Sequence, residues 1–260
     1  MKSPLRKRLL RELKSEFGKY LVVFIMMAIT IAFVSGFLVA DGSMIRAYDD
    51  SFQKYNIEDG YFLTKKKLTT TQKEDIEKSD VKIYENFYIE QKLTNGSTVR
   101  FFKNRKDVDK VCLMKGRMPE KSGEIAVDRM YAENNSLEIG DWVKSGKKAF
   151  RITGLVALSD YSALFQNNND TMFDSVKFGV AIVTDKDFEA LNQVKLQYNY
   201  AWVYDKKPET EKKEKKMAED LMEDMTGVVT LESFVPQFQN QSICFTGDDM
   251  GSDRAMMVML

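Results

Sequence analysis

The sequence predicts an α+β chain: one N-terminal transmembrane helix, then a mixed α+β extracytoplasmic domain, built in one piece or as two subdomains. Three observations predict it. Residues 21–40, LVVFIMMAITIAFVSGFLVA, carry no charge, and twenty residues at about 1.5 Å each match a hydrocarbon core of roughly 30 Å. Residues 1–20 carry seven Lys/Arg against Glu12 and Glu16, a net charge of +5, whereas the chain after residue 40 has 32 basic and 37 acidic residues. From Tyr61 onward, short β-branched or aromatic runs alternate with polar, helix-like stretches.

The charge asymmetry orients the span. Basic residues crowd its N-terminal flank, and Asp41, Asp49 and Asp50 follow it, so the N-terminus reads as cytoplasmic and the main domain as extracytoplasmic. A cleaved signal peptide is the competing reading. It would have an apolar region of about 7–15 residues ending in a small-x-small site, and this run is longer. The leader has a pattern of its own. Leu5, Leu9, Leu10, Leu13 and Phe17 fall on one helical stripe between Arg and Lys, as in an amphipathic helix lying on a membrane surface. Leu9, Leu10, Leu13 and Phe17 are the candidate contacts to lipid.

In the main domain, strands are expected at Tyr61–Thr64, Val81–Leu93, Val99–Phe102, 124–128, Trp142–Val143, Ala149–Leu158, Val176–Val183, Tyr198–Tyr204 and Val228–Leu231. Thr94-Asn95-Gly96-Ser97 signals a type I′ hairpin turn. Helices are expected at Thr69–Ser79 (capped by Thr70 or Thr71), to about Asn135, at Lys186–Asn192 and at Lys206–Met225. In the last of these, Met217, Leu221, Met222 and Met225 form an apolar face below Lys/Glu pairs.

Composition also excludes. Without histidine, Ser/His triads, Cys/His pairs and His-based metal sites are not available. No Gly-rich phosphate loop occurs, because Gly146-Lys147-Lys148 lacks the upstream glycine and following Ser/Thr. The mildly acidic main domain gives no basic footprint for nucleic acid. Cys112 and Cys244 either form one disulfide or sit as two small buried hydrophobes. Gly247-Asp248-Asp249 with Asp253 reads first as a polar loop, and only second as a cation site.

One stretch, residues 113–143, carries a resemblance. It contains Gly116-Arg117-Met118-Pro119, then Glu124-Ile125-Ala126-Val127, then Ile139-Gly140-Asp141-Trp142-Val143. With the strand Phe150–Val156 that follows, it resembles the extracytoplasmic core domain of FtsX-like/MacB-like ABC transporter permeases. Gly116, Arg117, Pro119, Glu124, Gly140 and Asp141 are the family-motif residues, and each has a structural account as a turn or strand position. The resemblance implies a non-enzymatic permease subunit without cofactor. Its partners would be a separate ABC ATPase, membrane lipid and a second permease copy or homologue, with no nucleic acid. It also implies mechanotransmission or export driven by that ATPase. Such permeases usually have four membrane helices, so the apolar Ala255–Leu260 reads as the start of a second one and the chain as a fragment. A natural single-span protein with a binding or regulatory ectodomain is the alternative.

Overall fold

The computed structural model describes residues 14–244, apart from the side chains at 41, 44 and 45. The chain divides into two compact units, Met1–Tyr48 and Asp49–Leu260. Helix α1, Phe17–Tyr55, begins in the first and ends in the second. Its stretch Phe17–Ala40 is long and apolar enough to cross a membrane, and none of it is buried within the protein. A core helix of a soluble fold would instead be largely covered. Two hydroxyls inside or near the stretch are internally satisfied: Thr30 Oγ1 donates to Met26 O at 2.9 Å and Ser43 Oγ to Val39 O at 2.8 Å. Such i−4 back-bonding makes small polar residues tolerable in an apolar surround.

The helix runs past the expected limit at residue 40, to Tyr55, and a local signal stops it. Asn56 takes the left-handed conformation, with φ of 49°. Ile57 N donates to Phe52 O at 3.0 Å and Asn56 N to Gln53 O at 3.3 Å. This is a Schellman cap with asparagine in the place glycine usually takes.

The second unit is a mixed sheet with short helices, the α+β class expected. The strands are β1 (Gly60–Thr64), β2 (Val81–Glu85), β3 (Tyr88–Lys92), β4 (Thr98–Lys103), β5 (Val111–Gly116), β6 (Glu124–Asp128), β7 (Trp142–Ser145), β8 (Lys148–Leu158), β9 (Phe178–Val183), β10 (Leu196–Tyr204) and β11 (Leu231–Pro236). The helices are α2 (Thr70–Glu77), α3 (Arg129–Asn134), α4 (Asp185–Glu189) and α5 (Glu211–Thr226). The sheet order is β11-β1-β10-β3-β4-β9-β6-β8-β5, with β2 also paired to β10 and β7 to β8. Strand pairs β4/β9 and β6/β8 are parallel. Strand β9, FGVAIV, is buried at every position, the continuous apolar run expected of a central strand covered on both faces.

Two hydrophobic clusters share this sheet. One gathers Phe101, Phe102, Val127, Tyr131, Phe150 and Ile182 across β3–β9. The other gathers Phe62, Ile76, Ile83, Tyr200, Trp202, Leu221 and Met225 under α2 and α5. Strand β10 reaches both, pairing with β3 at Leu196–Gln197 and with β2 from Tyr200 onward.

Several local expectations need correction. Thr69, not Thr70 or Thr71, caps α2, in a reciprocal capping box with Gln72, which satisfies two orphan N–H groups at once. Val81–Leu93 is two strands rather than one, because the chain breaks at Asn86. The hairpin at 94–97 is not type I′. Only Gly96 is left-handed, with φ of 89°, while Gly96 N donates to Leu93 O and Leu93 N to Ser97 O. That is a turn followed by a glycine bulge. The last strand lies at Leu231–Pro236, later than expected, because Val228 N and Val229 N are spent on Met225 O at the end of α5. Met222 faces out, and Ala218 takes its place on the buried side of α5.

Candidate functional site

The structure treats the predicted residues in three ways. Leu9, Leu10 and Leu13 lie outside the described residues, as do Gly247-Asp248-Asp249, Asp253 and Ala255–Leu260. Phe17 opens α1 and is exposed. The six family-motif residues gather around residues 151–154 of β8, with Glu124 on β6 along one edge and Gly116 on β5 and the turn into β7 along the other. Gly116, with φ of 78°, sits so close to β8 that a Cβ there would lie 2.3 Å from Thr153 O. Arg117 N donates to that same Thr153 O at 3.0 Å.

Arg117 then turns its guanidinium onto Glu124. Nη1 donates to Oε2 at 2.8 Å, and Nη2 also contacts Oε1. Glu124 Oε2 accepts the backbone N–H of Glu120 and of Lys121, each at 3.0 Å, across the Pro119 turn. The Arg117 fork and these two amides hold the Glu124 carboxyl well below the usual carboxylate range. Gly140 N donates to Ile152 O at 2.8 Å, and Asp141 Oδ2 accepts from Glu138 N at 2.8 Å. The motif is thus a clip of turns that seats β5, β6 and β7 around β8. It holds structure and presents no reactive group.

A second group of residues, which the sequence did not point to, lies where α1 enters the domain. Backbone bonds fasten the helix end to the β4–β5 connection. Lys110 N donates to Tyr55 O at 2.9 Å, Asp109 N to Asn56 O at 3.0 Å, and Asn56 Nδ2 to Asp107 O at 2.7 Å. Tyr55 Oη donates to Cys112 Sγ at 2.9 Å. Cys244 Sγ, in turn, donates to Gln237 O at 3.0 Å, so the two sulfurs make separate contacts.

Beneath this staple are four buried charged residues: Glu58, Arg105, Asp109 and Asp160. Arg105 forks onto Asp160 at 2.7 and 2.8 Å, both side chains being 6% exposed. Asp109 accepts from Glu58 N at 2.9 Å and from Asn86 Nδ2 at 3.1 Å. Burial, and after it the charge of Asp160, pushes Asp109 up to about 7. Burial and the neighbouring Asp109 and Asp160 push Glu58 well up too.

Glu58 and Asp160 also line a cleft of about 260 Å³, together with Tyr61, Tyr88, Arg100 and Asn199. Arg100 is already engaged, by Glu90 at 2.8 Å, Tyr161 Oη at 2.9 Å and Gln166 O at 2.5 Å. Among the described residues no group of three or more side chains is arranged to hold a metal. The chemistry on offer is proton storage and polar ligand contact.

No protein-family model matches the chain, and no curated protein matches it in sequence. Several solved structures resemble its fold, two of them as follows. The periplasmic region of MacB from Actinobacillus actinomycetemcomitans matches with a TM-score of 0.40 and 12% identity, over 73% of this chain and 91% of that one. The extracellular domain of the noncanonic ABC-type transporter YknZ from Gram-positive bacteria matches with a TM-score of 0.36 and 14% identity, over 67% of this chain and 98% of that one. At such distances the likeness assigns no residue and no activity.

Proposed function

We propose that the chain is part of the membrane permease subunit of an ABC transporter. Residues 1–20 form a cytoplasmic leader, 21–40 the retained span and 41–254 an extracytoplasmic domain. Partner chemistry follows: a separate ATPase meets the cytoplasmic side, lipid surrounds the span, and a second permease copy or homologue completes the assembly. This chain itself hydrolyses no ATP. The observation that carries the reading is α1, whose exposed apolar stretch Phe17–Ala40 continues as helix to Tyr55. Its last turn is hydrogen-bonded to the β4–β5 connection. A helix with that course passes displacement from the cytoplasmic side to the domain, so substrate need not cross the bilayer within the subunit. The polar, tyrosine-lined cleft favours a second reading, a membrane-anchored binding or regulatory module.

The experiment targets the leader. In vesicles containing the permease and its ATPase, Leu9→Asp and Leu13→Asp should abolish coupled ATP turnover while leaving membrane insertion and the domain's circular dichroism intact. Removing an apolar contact worth roughly 1.5–3 kcal/mol per side chain is enough to undock the ATPase. Full coupling in the paired Asp variant would leave the leader with a topological role only, set by Arg6, Lys7, Arg8 and Arg11.

A further inference from the structure

We infer that Glu58, Asp109, Arg105 and Asp160 form a buried proton-binding latch that holds the end of α1 to the domain and weakens as protons leave. Charge count comes first. Three carboxyls face one guanidinium, so the cluster is neutral only with two bound protons. Arg105 is used by Asp160, and its distance to Asp109 Oδ2, 3.9 Å, is too long for a hydrogen bond.

Glu58 is the group left over. It is 2% exposed. Its Oε1 receives one long bond, from Asn240 Nδ2 at 3.4 Å, and among the described residues its Oε2 receives no donor. An ionised carboxylate buried with so little support is strongly disfavoured. A protonated Glu58 is a donor instead, with Asp109 beside it as acceptor, which accounts for the otherwise unexplained oxygen. The pair therefore titrates as a unit.

The cluster sits on the staple itself. Asp109 binds Glu58 N with its side chain and Asn56 O with its backbone N–H, while Gln237 Nε2 donates to Glu58 O at 3.0 Å. Charge appearing between Glu58 and Asp109 thus pushes apart the two segments that these bonds join. Several titratable groups face the pair, Arg100 of β4 and Tyr88 of β3 among them across the cleft. Asp109 and Arg105 come from the β4–β5 connection, and Asp160 with Tyr161 from the turn after β8. Tyr61 faces the pair from β1.

The sign follows from linkage. When the staple opens, both carboxyls regain ordinary values near 4. Between about pH 4 and 7 the open form has lost protons that the closed form keeps, so raising pH favours opening, by up to about tenfold per pH unit for each retained proton.

The test is amide hydrogen exchange on the full chain in detergent, from pH 5 to 7.5, corrected for intrinsic exchange. Protection of the Glu58, Asp109 and Lys110 amides should fall with pH. Glu58→Gln keeps the donor without the titration and should make the fall shallower. Glu58→Gln with Asp109→Asn should abolish it. Asp128, buried and pushed up to about 6, gives a background slope only through opening of the whole domain, which the amides of α3 report. A flat wild-type profile overturns the latch, as does a double variant with the wild-type slope. If the double variant lacks near-UV dichroism, Asp109→Asn alone decides, because a slope equal to wild type then rejects the proposal. The inference does not rest on the permease reading, and no ATPase or transport measurement enters its test.

Discussion

Replacing Gly116 by alanine tests the clip of turns on β8 most sharply. Two costs are separable. The backbone φ of 78° lies where a Cβ costs roughly 1–2 kcal/mol. The new Cβ would also meet Thr153 O at 2.3 Å, Ile139 Cδ1 at 2.7 Å and Gly154 Cα at 3.1 Å. The isoleucine tip can swing away, but Thr153 O cannot retreat without giving up Arg117 N. Overpacking against backbone costs about 1–3 kcal/mol, which with the strain makes about 2–5 kcal/mol. For a domain of this size each kcal/mol moves Tm by about 2–4 °C, so a drop of roughly 4–20 °C is expected. Gly96→Ala is the control. Its φ of 89° is equally left-handed, but none of the described residues lies within 4 Å of the added carbon. It should cost the strain alone, about 1–2 kcal/mol. Calorimetry of both variants in the same detergent measures the difference. Equal shifts, or a nearly silent Gly116→Ala, would show that the close approach of Gly116 to β8 does not stabilise the domain.

Two further outcomes are expected. Trp202 is fully buried, stacked on Phe234 with centroids 4.6 Å apart. Trp202→Ala should cost about 3–5 kcal/mol, seen as a lower guanidinium midpoint at unchanged slope, and a loss under about 1 kcal/mol contradicts that packing. For topology, Ser97 is a poor labelling site because it is buried, whereas Val194 is 93% exposed. In a background with Cys112 and Cys244 replaced, Val194→Cys should react with an impermeant maleimide in intact cells, and reaction only after lysis reverses the orientation.

The membrane helix was legible because lipid leaves one option to an uncharged run: satisfy its own backbone. Most strands were legible because one face of each is buried. Strand β5, VCLMKG, was missed for the opposite reason. It lies at the sheet edge with its last four residues exposed, so its composition carries no alternation. The boundary at Asn86 was hidden because its cause, the bond from Asn86 Nδ2 to Asp109, is tertiary. Gly116 and Gly140 stand at left-handed turn positions, as glycine allows, whereas the fork of Arg117 onto Glu124 is not readable from spacing. The latch was invisible. In the sequence, Arg105 and Asp109 sit in NRKDVDK, which reads as a solvated charge run. Only the fold brings Glu58 and Asp160 to them and removes the water.

Strand β1 lies between β10 and β11, with Gly60 facing Trp202 on one side and Pro236 on the other. A chain made from its N-terminus at about 5–20 residues per second completes β11 roughly 10–30 s after β1. Until β10 follows, roughly 7–28 s after β1, Phe62 has neither neighbouring strand and both hydrogen-bonding edges of β1 are open; the edge that pairs with β11 stays open longer. Closing such sequence-distant pairs is slow, so correct assembly of this sheet half is a race against pairing with other chains. Faster or more crowded synthesis should cost yield here first, through aggregates seeded by the domain's own first strand.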